Sequence, residues 1–423
     1  MTTKAPVAPD APTKVGEPVL RWKARAHSIP EIETELAKIW AQQDLNVDTD
    51  GEPGRHIAAR TSVMNLVVVA RRPEIAERSA ATIQMLTGRH PSRTIVIQSA
   101  DPDGPSWLDA RVEAHCIMPR ADAPETCAET IHLVCGGEAG RHLSAIATPL
   151  IIHDLPVTIW WPGEPSLKDR SAVDLLTGAD RLIVDGSSWN GDGLARLREL
   201  AGLLETTHLA ISDFALVRQS RWREAIASIF DDPDFLPYLR SLRRIAVTYG
   251  THDETGAPGS TNLVKPLYHV GWLASRLDLN VVKPLAQFAG GRAAAAAKPA
   301  RGGAVRPVLD RGLVATLSDG RAEVGVVIRP VVSKMPAGTT LRVELLAERR
   351  GSELRADVTA EAETVHVRVW QDGVEAWDRH FRAARRNEVD LLAEAIETGG
   401  RDPVAVGALR SAAHLIEADG RTA

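Results

Sequence analysis

Cysteine is nearly absent: Cys116, Cys127 and Cys135 are the three in 423 residues. An odd count without a C-x-x-C pair excludes a disulfide scaffold and suits a reducing, cytoplasmic setting. Long apolar runs are also missing. No segment approaches the roughly 20 residues of a membrane-spanning helix, and the opening MTTKAPVAPDAPTKVGEPVL lacks the apolar core of a secretory signal. Charge of one sign does not dominate either. Fifty Lys and Arg against 55 Asp and Glu leave a formal charge of −5, which supplies no drive towards nucleic acid or an anionic membrane. Phe and Tyr are scarce, at 5 and 3, but Trp stands at 10, and Trp both fills cores and anchors protein interfaces.

The familiar catalytic patterns are missing too. There is no G-x-x-x-x-G-K-[ST] loop and no strand-to-helix G-x-G-x-x-G. The 13 histidines include no H-E-x-x-H, and His132 and Cys135 fall on opposite faces of one strand, so no metal site is expected from spacing. DGSSWNGDG (185–193) departs from G-x-S-x-G and reads as a loop that caps a helix. FDDPDF (230–235) reads as a solvated turn. No catalytic residue and no cofactor is assigned.

What is present is the alternation of an α/β protein. Residues 1–20 read as a disordered tail. A helix over 28–43 follows, with Ser28 as its cap and Ile32, Leu36, Ile39 and Trp40 on one face. A strand at 62–70, a helix at 73–88 and a strand at 92–100 form a β-α-β crossover, which argues for parallel pairing. Strands at 107–116 and 129–137 make an antiparallel excursion. A helix at 139–152, broken around Pro149, then leads to a buried strand at 155–163.

A second series has the same grammar: helices at 171–179, 193–206, 220–230 and 261–277 among strands at 181–186, 209–216 and 243–250. AGGRAAAAAKPARGGAV (289–305) reads as a linker or loop. Short alternating segments at 322–332, 339–348, 352–361 and 363–373 then read as a one-faced meander covered by a terminal helix over 388–400. The expected fold is α/β: tandem Rossmann-like units with mostly parallel sheets, then a β-rich C-terminal region with a terminal helix. The expected divisions are 21–168, 169–288 and 306–423, the last two together or apart.

Two places are candidate sites. In CGGEAGRHLS (135–144), Gly136, Gly137 and Gly140 with Arg141 and Ser144 offer backbone amides and a cation to a phosphate or carboxylate, against the plainer reading of a strand-to-helix turn. In DLPVTIWWPGEP, adjacent Trp160 and Trp161 point to opposite faces of a strand. That predicts one ring in the core and one at the rim near Glu164, where it either anchors a partner or packs.

Taken in order, SVMNLVVVA, GRHPSRTIVI, TPLIIHDLPVTIWWPG, ADRLIVDGSSW and SRWREAIASIFDDP resemble the glucose-6-phosphate dehydrogenase assembly protein family, OpcA. The resemblance covers roughly residues 60–285, and DLPV-x-x-WW-x-G is its most specific piece. It implies a non-enzymatic partner that promotes assembly or activation of glucose-6-phosphate dehydrogenase, the NADP-dependent entry to the oxidative pentose phosphate pathway. The family has no catalytic residues to carry over. The three cysteines match no role in it; Cys116 and Cys127 flank one hairpin loop that would let them approach each other, against the plainer reading of a pair of inert thiols. The oligomeric state stays open. The alternative is a Rossmann-like protein or enzyme holding a sugar phosphate or nucleotide at 135–144.

Overall fold

The computed structural model describes residues 15–41, 59–60, 62–100, 103–118, 120, 125–252, 261–287 and 312–416. Much of the expected tail and the whole 289–305 linker lie outside the described residues. The chain forms two compact units. One takes in the chain to Val184 with Thr207–Ile211 and Asn387–Gly400; the other takes in Asp185–Thr206, Ser212–Arg386 and the chain from Arg401.

In chain order the first unit begins with β1 (Val19–Ala26), α1 (Ile29–Ala41), β2 (Ala59–Arg60), β3 (Met64–Ala70), α2 (Pro73–Gln84), β4 (Ser92–Ser99), β5 (Trp107–Ile117) and β6 (Thr126–Gly136). It continues with α3 (Gly137–Arg141), α4 (Leu143–Ala147), β7 (Val157–Trp161), α5 (Arg170–Thr177) and β8 (Arg181–Val184). After α6 (Leu194–Thr206), β9 (Ala210–Asp213) completes a nine-stranded sheet in the order β1-β5-β6-β4-β3-β7-β8-β9, with β2 beside β6. The pairs β4–β6, β3–β4, β3–β7 and β7–β8 are parallel, and β1–β5 and β5–β6 are the antiparallel excursion.

Every residue of β3, MNLVVVA, is buried, as expected of a parallel strand covered on both faces. Asn65 within it is fully buried too. It donates to the carbonyls of Ile152 and Leu155 at 2.9 and 3.2 Å and accepts from Ile152 N at 2.7 Å, which latches the turn that launches β7. At the start of α1, Glu31 N donates to Ser28 Oγ at 3.4 Å and Glu31 Oε2 accepts from His27 N at 2.8 Å, a reciprocal capping arrangement. Ile32, Leu36 and Ile39 are buried, and the helix packs on β1 and β5.

The second unit adds α7 (Phe214–Val217), α8 (Ser220–Ile229), β10 (Leu242–Thr251), α9 (Val264–Arg276), β11 (Asn280–Gln287), β12 (Leu313–Ser318), β13 (Glu323–Val332), β14 (Thr340–Arg349), β15 (Ser352–Ala360), β16 (Thr364–Gln371) and β17 (Val374–Arg382). Its sheet runs β11-β12-β13-β10-β14-β15-β16-β17. Only β10–β13 is parallel among the described pairs. Val365, Val367 and Val369 are buried on one face of β16, as the alternation predicts. Two helices close the described chain, α10 (Glu388–Glu397) and α11 (Pro403–Ile416).

Four expectations are corrected. The strands of the expected 169–288 unit are divided: β8 and β9 extend the first sheet, whereas β10 and β11 join the meander. Helix α10 does not cover the meander; it belongs to the first unit and packs on α2, with Arg78 Nε 3.2 Å from Glu388 Oε2, while α8 packs on β15 and β16. The expected 139–152 helix breaks at His142, not only at Pro149. Cys116 and Cys127 are not separate thiols. They face each other in the β5–β6 register, both fully buried, and form a disulfide; pairing register is long-range information that strand propensity does not carry.

Candidate functional site

Trp160 and Trp161 close β7, and neither reaches a rim. They are 0% and 3% exposed. The strand is buried from Thr158 to Trp161 and lies between β3 and β8. Covered faces on both sides leave each ring under its own layer, which corrects the expected rim tryptophan. Glu164, in the turn that follows, is half-buried.

The glycines of 135–144 serve close packing. A Cβ at Gly136 would strike the indole of Trp107, and one at Gly137, whose φ is +59°, would lie 2.6 Å from the carbonyl oxygen of Gly104. A Cβ at Gly140 would meet Ser99 Oγ at 3.0 Å. Ala139 N donates to Ser106 Oγ at 3.1 Å, and Arg141, half-exposed, pairs with Asp103 at 2.5 Å. Ser144 Oγ sits 3.4 Å from Thr148 Oγ1. The cation expected to hold an anion is thus engaged by Asp103, Ala139 N is engaged by Ser106, and α3 spans a single turn.

A dense polar arrangement lies elsewhere, in the second unit, where Asp185 follows β8 and Asp213 ends β9. Arg218 grips Asp185 with two nitrogens, Nη1 to Oδ1 at 2.7 Å and Nη2 to Oδ2 at 2.8 Å. Ser187 Oγ donates to Asp185 Oδ1 at 2.6 Å and accepts from Arg218 at 2.9 Å. Beneath them Asp213 Oδ1 accepts from Gly186 N and Ala215 N, each at 2.8 Å, and Oδ2 accepts from Tyr268 Oη at 2.9 Å. Asn262 donates to the carbonyls of Gly186 and Trp189 at 2.8 and 3.1 Å and caps α9 by accepting from Val264 N at 3.0 Å. Gly186 is required here, since a Cβ would sit 2.5 Å from Asp213 Oδ2.

Burial pushes Asp213 up, helped by the charge of Asp185, to about 6. Asp185 is buried too, but the Arg218 fork outweighs that and holds its carboxyl below the ordinary range. Burial, with Arg218 beside it, pulls the Lys265 ammonium down. Burial and then Asp213 push the Tyr268 hydroxyl up.

Chemically this is a clamp. It ties the 185–193 turn, the α7–α8 corner and the start of α9 together through charge-assisted hydrogen bonds. Ser187 faces a carboxylate already committed to an arginine and not a free base, so the pair is not arranged as nucleophile and base. The 185–193 loop caps a helix as its composition predicts, with Asp192 Oδ1 accepting from Leu194 N at 3.0 Å. The clamp lies beyond what that composition predicts. The available signal was two strands each ending in aspartate, RLIVD and AISD.

Residues 83–201 match the family model described as the glucose-6-phosphate dehydrogenase subunit N-terminal domain, and residues 209–406 match its C-terminal counterpart, both of OpcA type. The two take in about three quarters of the chain. The chain belongs to the OpcA family. An OpcA of Synechocystis sp., described as an OxPP cycle protein, is 28% identical over 196 residues, which cover 46% of this chain and 38% of that protein. The chain thus spans about two fifths of the length of the curated relative it matches. The OpcA match boundary falls just ahead of β9, so the first unit's sheet takes its last strand from the C-terminal match.

Solved structures are similar at lower identity. UDP-N-acetylglucosamine 3-dehydrogenase GnnA from Acidithiobacillus ferrooxidans is 10% identical, with 84% of this chain and 97% of that one covered at a TM-score of 0.40. An NAD binding oxidoreductase from Klebsiella pneumoniae is 10% identical, with 83% and 94% covered at a TM-score of 0.42. Likeness at this level carries neither cofactor nor activity over to the OpcA chain.

Proposed function

We propose that this chain is a non-catalytic, cytoplasmic partner of glucose-6-phosphate dehydrogenase that promotes its assembly or raises its activity in the oxidative pentose phosphate pathway. The observation that supports this reading is the pair of family matches, both described as domains of a glucose-6-phosphate dehydrogenase subunit and together spanning most of the chain. The clamp at Asp185 and Asp213 holds three segments of the chain in place through hydrogen bonds between protein groups.

Such a partner works by binding the active oligomer or conformer of the enzyme more tightly than the inactive one. Coupling of this kind is typically about 1–3 kcal/mol, or roughly 5–150-fold in the equilibrium. The experiment mixes the purified full chain with its cognate dehydrogenase and follows mass by light scattering and turnover of glucose 6-phosphate. A complex with raised activity, or with a larger active oligomer, is expected. Absence of both a complex and a kinetic change sinks the reading.

A further inference from the structure

The exposed edge of the second unit's sheet gathers a set of groups that lie outside the clamp. His366 on β16 and His380 on β17 are direct cross-strand partners, and their rings stack with centroids 4.1 Å apart at 10°. Glu361, in the turn that leads into β16, brings Oε1 to 3.6 Å from His366 Nδ1 and 3.5 Å from His380 Nε2. One ligand atom from each of the three residues lies within 4.8 Å of the other two.

Two further contacts orient the set. His366 Nε2 lies 2.8 Å from Asp378 Oδ1. A carboxylate only accepts, so that nitrogen carries a hydrogen, and Nδ1 is the ring nitrogen that faces Glu361. Thr364 Oγ1 donates to Glu361 Oε2 at 2.5 Å and Glu361 N donates to Thr364 O at 3.0 Å, which occupies one carboxylate oxygen and aims the other at the histidines.

We propose that Glu361, His366 and His380 form a binding site for a divalent transition-metal ion of the zinc class. Two imidazole nitrogens and one carboxylate oxygen are a ligand set that zinc takes readily. Zinc bonds of about 2.0–2.1 Å at tetrahedral angles place ligand atoms roughly 3.3 Å apart, close to the separations between Glu361 and each histidine. Asp378 supplies the outer carboxylate that metal-bound histidines characteristically have on their other nitrogen. Arg368, on the same strand as His366, is drawn away from the set towards Asp357, 3.9 Å off, and the Trp370 ring. Three protein ligands leave a fourth position for water or for a side chain of another protein. The ion would bridge the turn before β16 to both strands of the edge hairpin.

The test uses the full chain stripped with a chelator and titrated with ZnCl2 by calorimetry, with CoCl2 in parallel for its visible absorption bands. One site of micromolar affinity with tetrahedral cobalt bands is expected. It should weaken at least about tenfold in His380→Ala and in Glu361→Gln, and about 10–100-fold in Asp378→Asn, where only the outer partner is lost. All three positions lie at the sheet edge, so melting curves in chelator should match the wild type and separate lost binding from lost folding. No binding by the wild type up to 100-fold molar excess, or equal affinity in wild type and the His366→Ala, His380→Ala pair, overturns the proposal.

Discussion

Tyr268 donates its phenolic hydrogen to Asp213 Oδ2 at 2.9 Å, with both side chains withdrawn from water. The contact joins the end of β9 to the interior of α9, and through Gly186 N it reaches the turn after β8. Tyr268→Phe leaves a buried carboxylate oxygen short of a donor, a change that costs about 1–3 kcal/mol. Chemical denaturation should show the midpoint falling with the slope unchanged.

Asp213 also sets a pH dependence. Its folded pKa of about 6 lies above the ordinary value, so the folded state binds the extra proton and stability falls as pH rises from about 4 to about 6. Asp213→Asn removes that component. The stability of the variant relative to wild type should therefore climb across this window, followed by denaturation at half-unit pH steps.

His269 acts with the opposite sign. Burial, with Arg223 and Lys265 nearby, lowers its pKa to about 3. Its contribution is fully present above about pH 6.5 and is lost as pH falls towards 3. Neither ring nitrogen has a hydrogen-bond partner. His269→Leu should keep or raise stability at pH 7, by about 1 kcal/mol at most, and should shrink the drop in Tm between pH 7 and pH 5.

Both tryptophans of β7 should behave as core. Trp160→Leu and Trp161→Leu should each lower stability by roughly 2–4 kcal/mol. An anchor would instead weaken the dehydrogenase complex while leaving Tm in place, so light scattering and melting together distinguish the two roles.

Much of this architecture was legible in the sequence. Continuous apolar runs such as MNLVVVA marked parallel strands, and the alternation of Val365, Val367 and Val369 marked the meander, because burial on two faces or one writes itself into local pattern. The partition of β8, β9, β10 and β11 between sheets was not legible, since strands of similar composition suit either one. Register was equally hidden. It joins Cys116 to Cys127 and sets His366 against His380, pairings that depend on strand alignment and not on spacing along the chain. The clamp was missed for the same reason: Asp185, Asp213, Arg218 and Tyr268 meet only once the chain is folded.

Helix α9 makes a close approach at Gly271, where a Cβ would strike the Ala408 carbonyl oxygen and lie 2.9 Å from Ala412 N on α11. Gly271→Val should force the two helices apart and cost about 1–3 kcal/mol, visible as a lower Tm.

The order of synthesis follows from how the first unit is assembled. It opens with β1, yet it includes α10, drawn from residues 387–400. The ribosome therefore delivers every strand of the meander before the first unit receives its final helix. A nascent chain released near residue 386 carries an α2 surface without its Glu388 partner, so neither unit can be excised as one uninterrupted stretch. Completion of the first unit therefore waits on synthesis of residues 387–400.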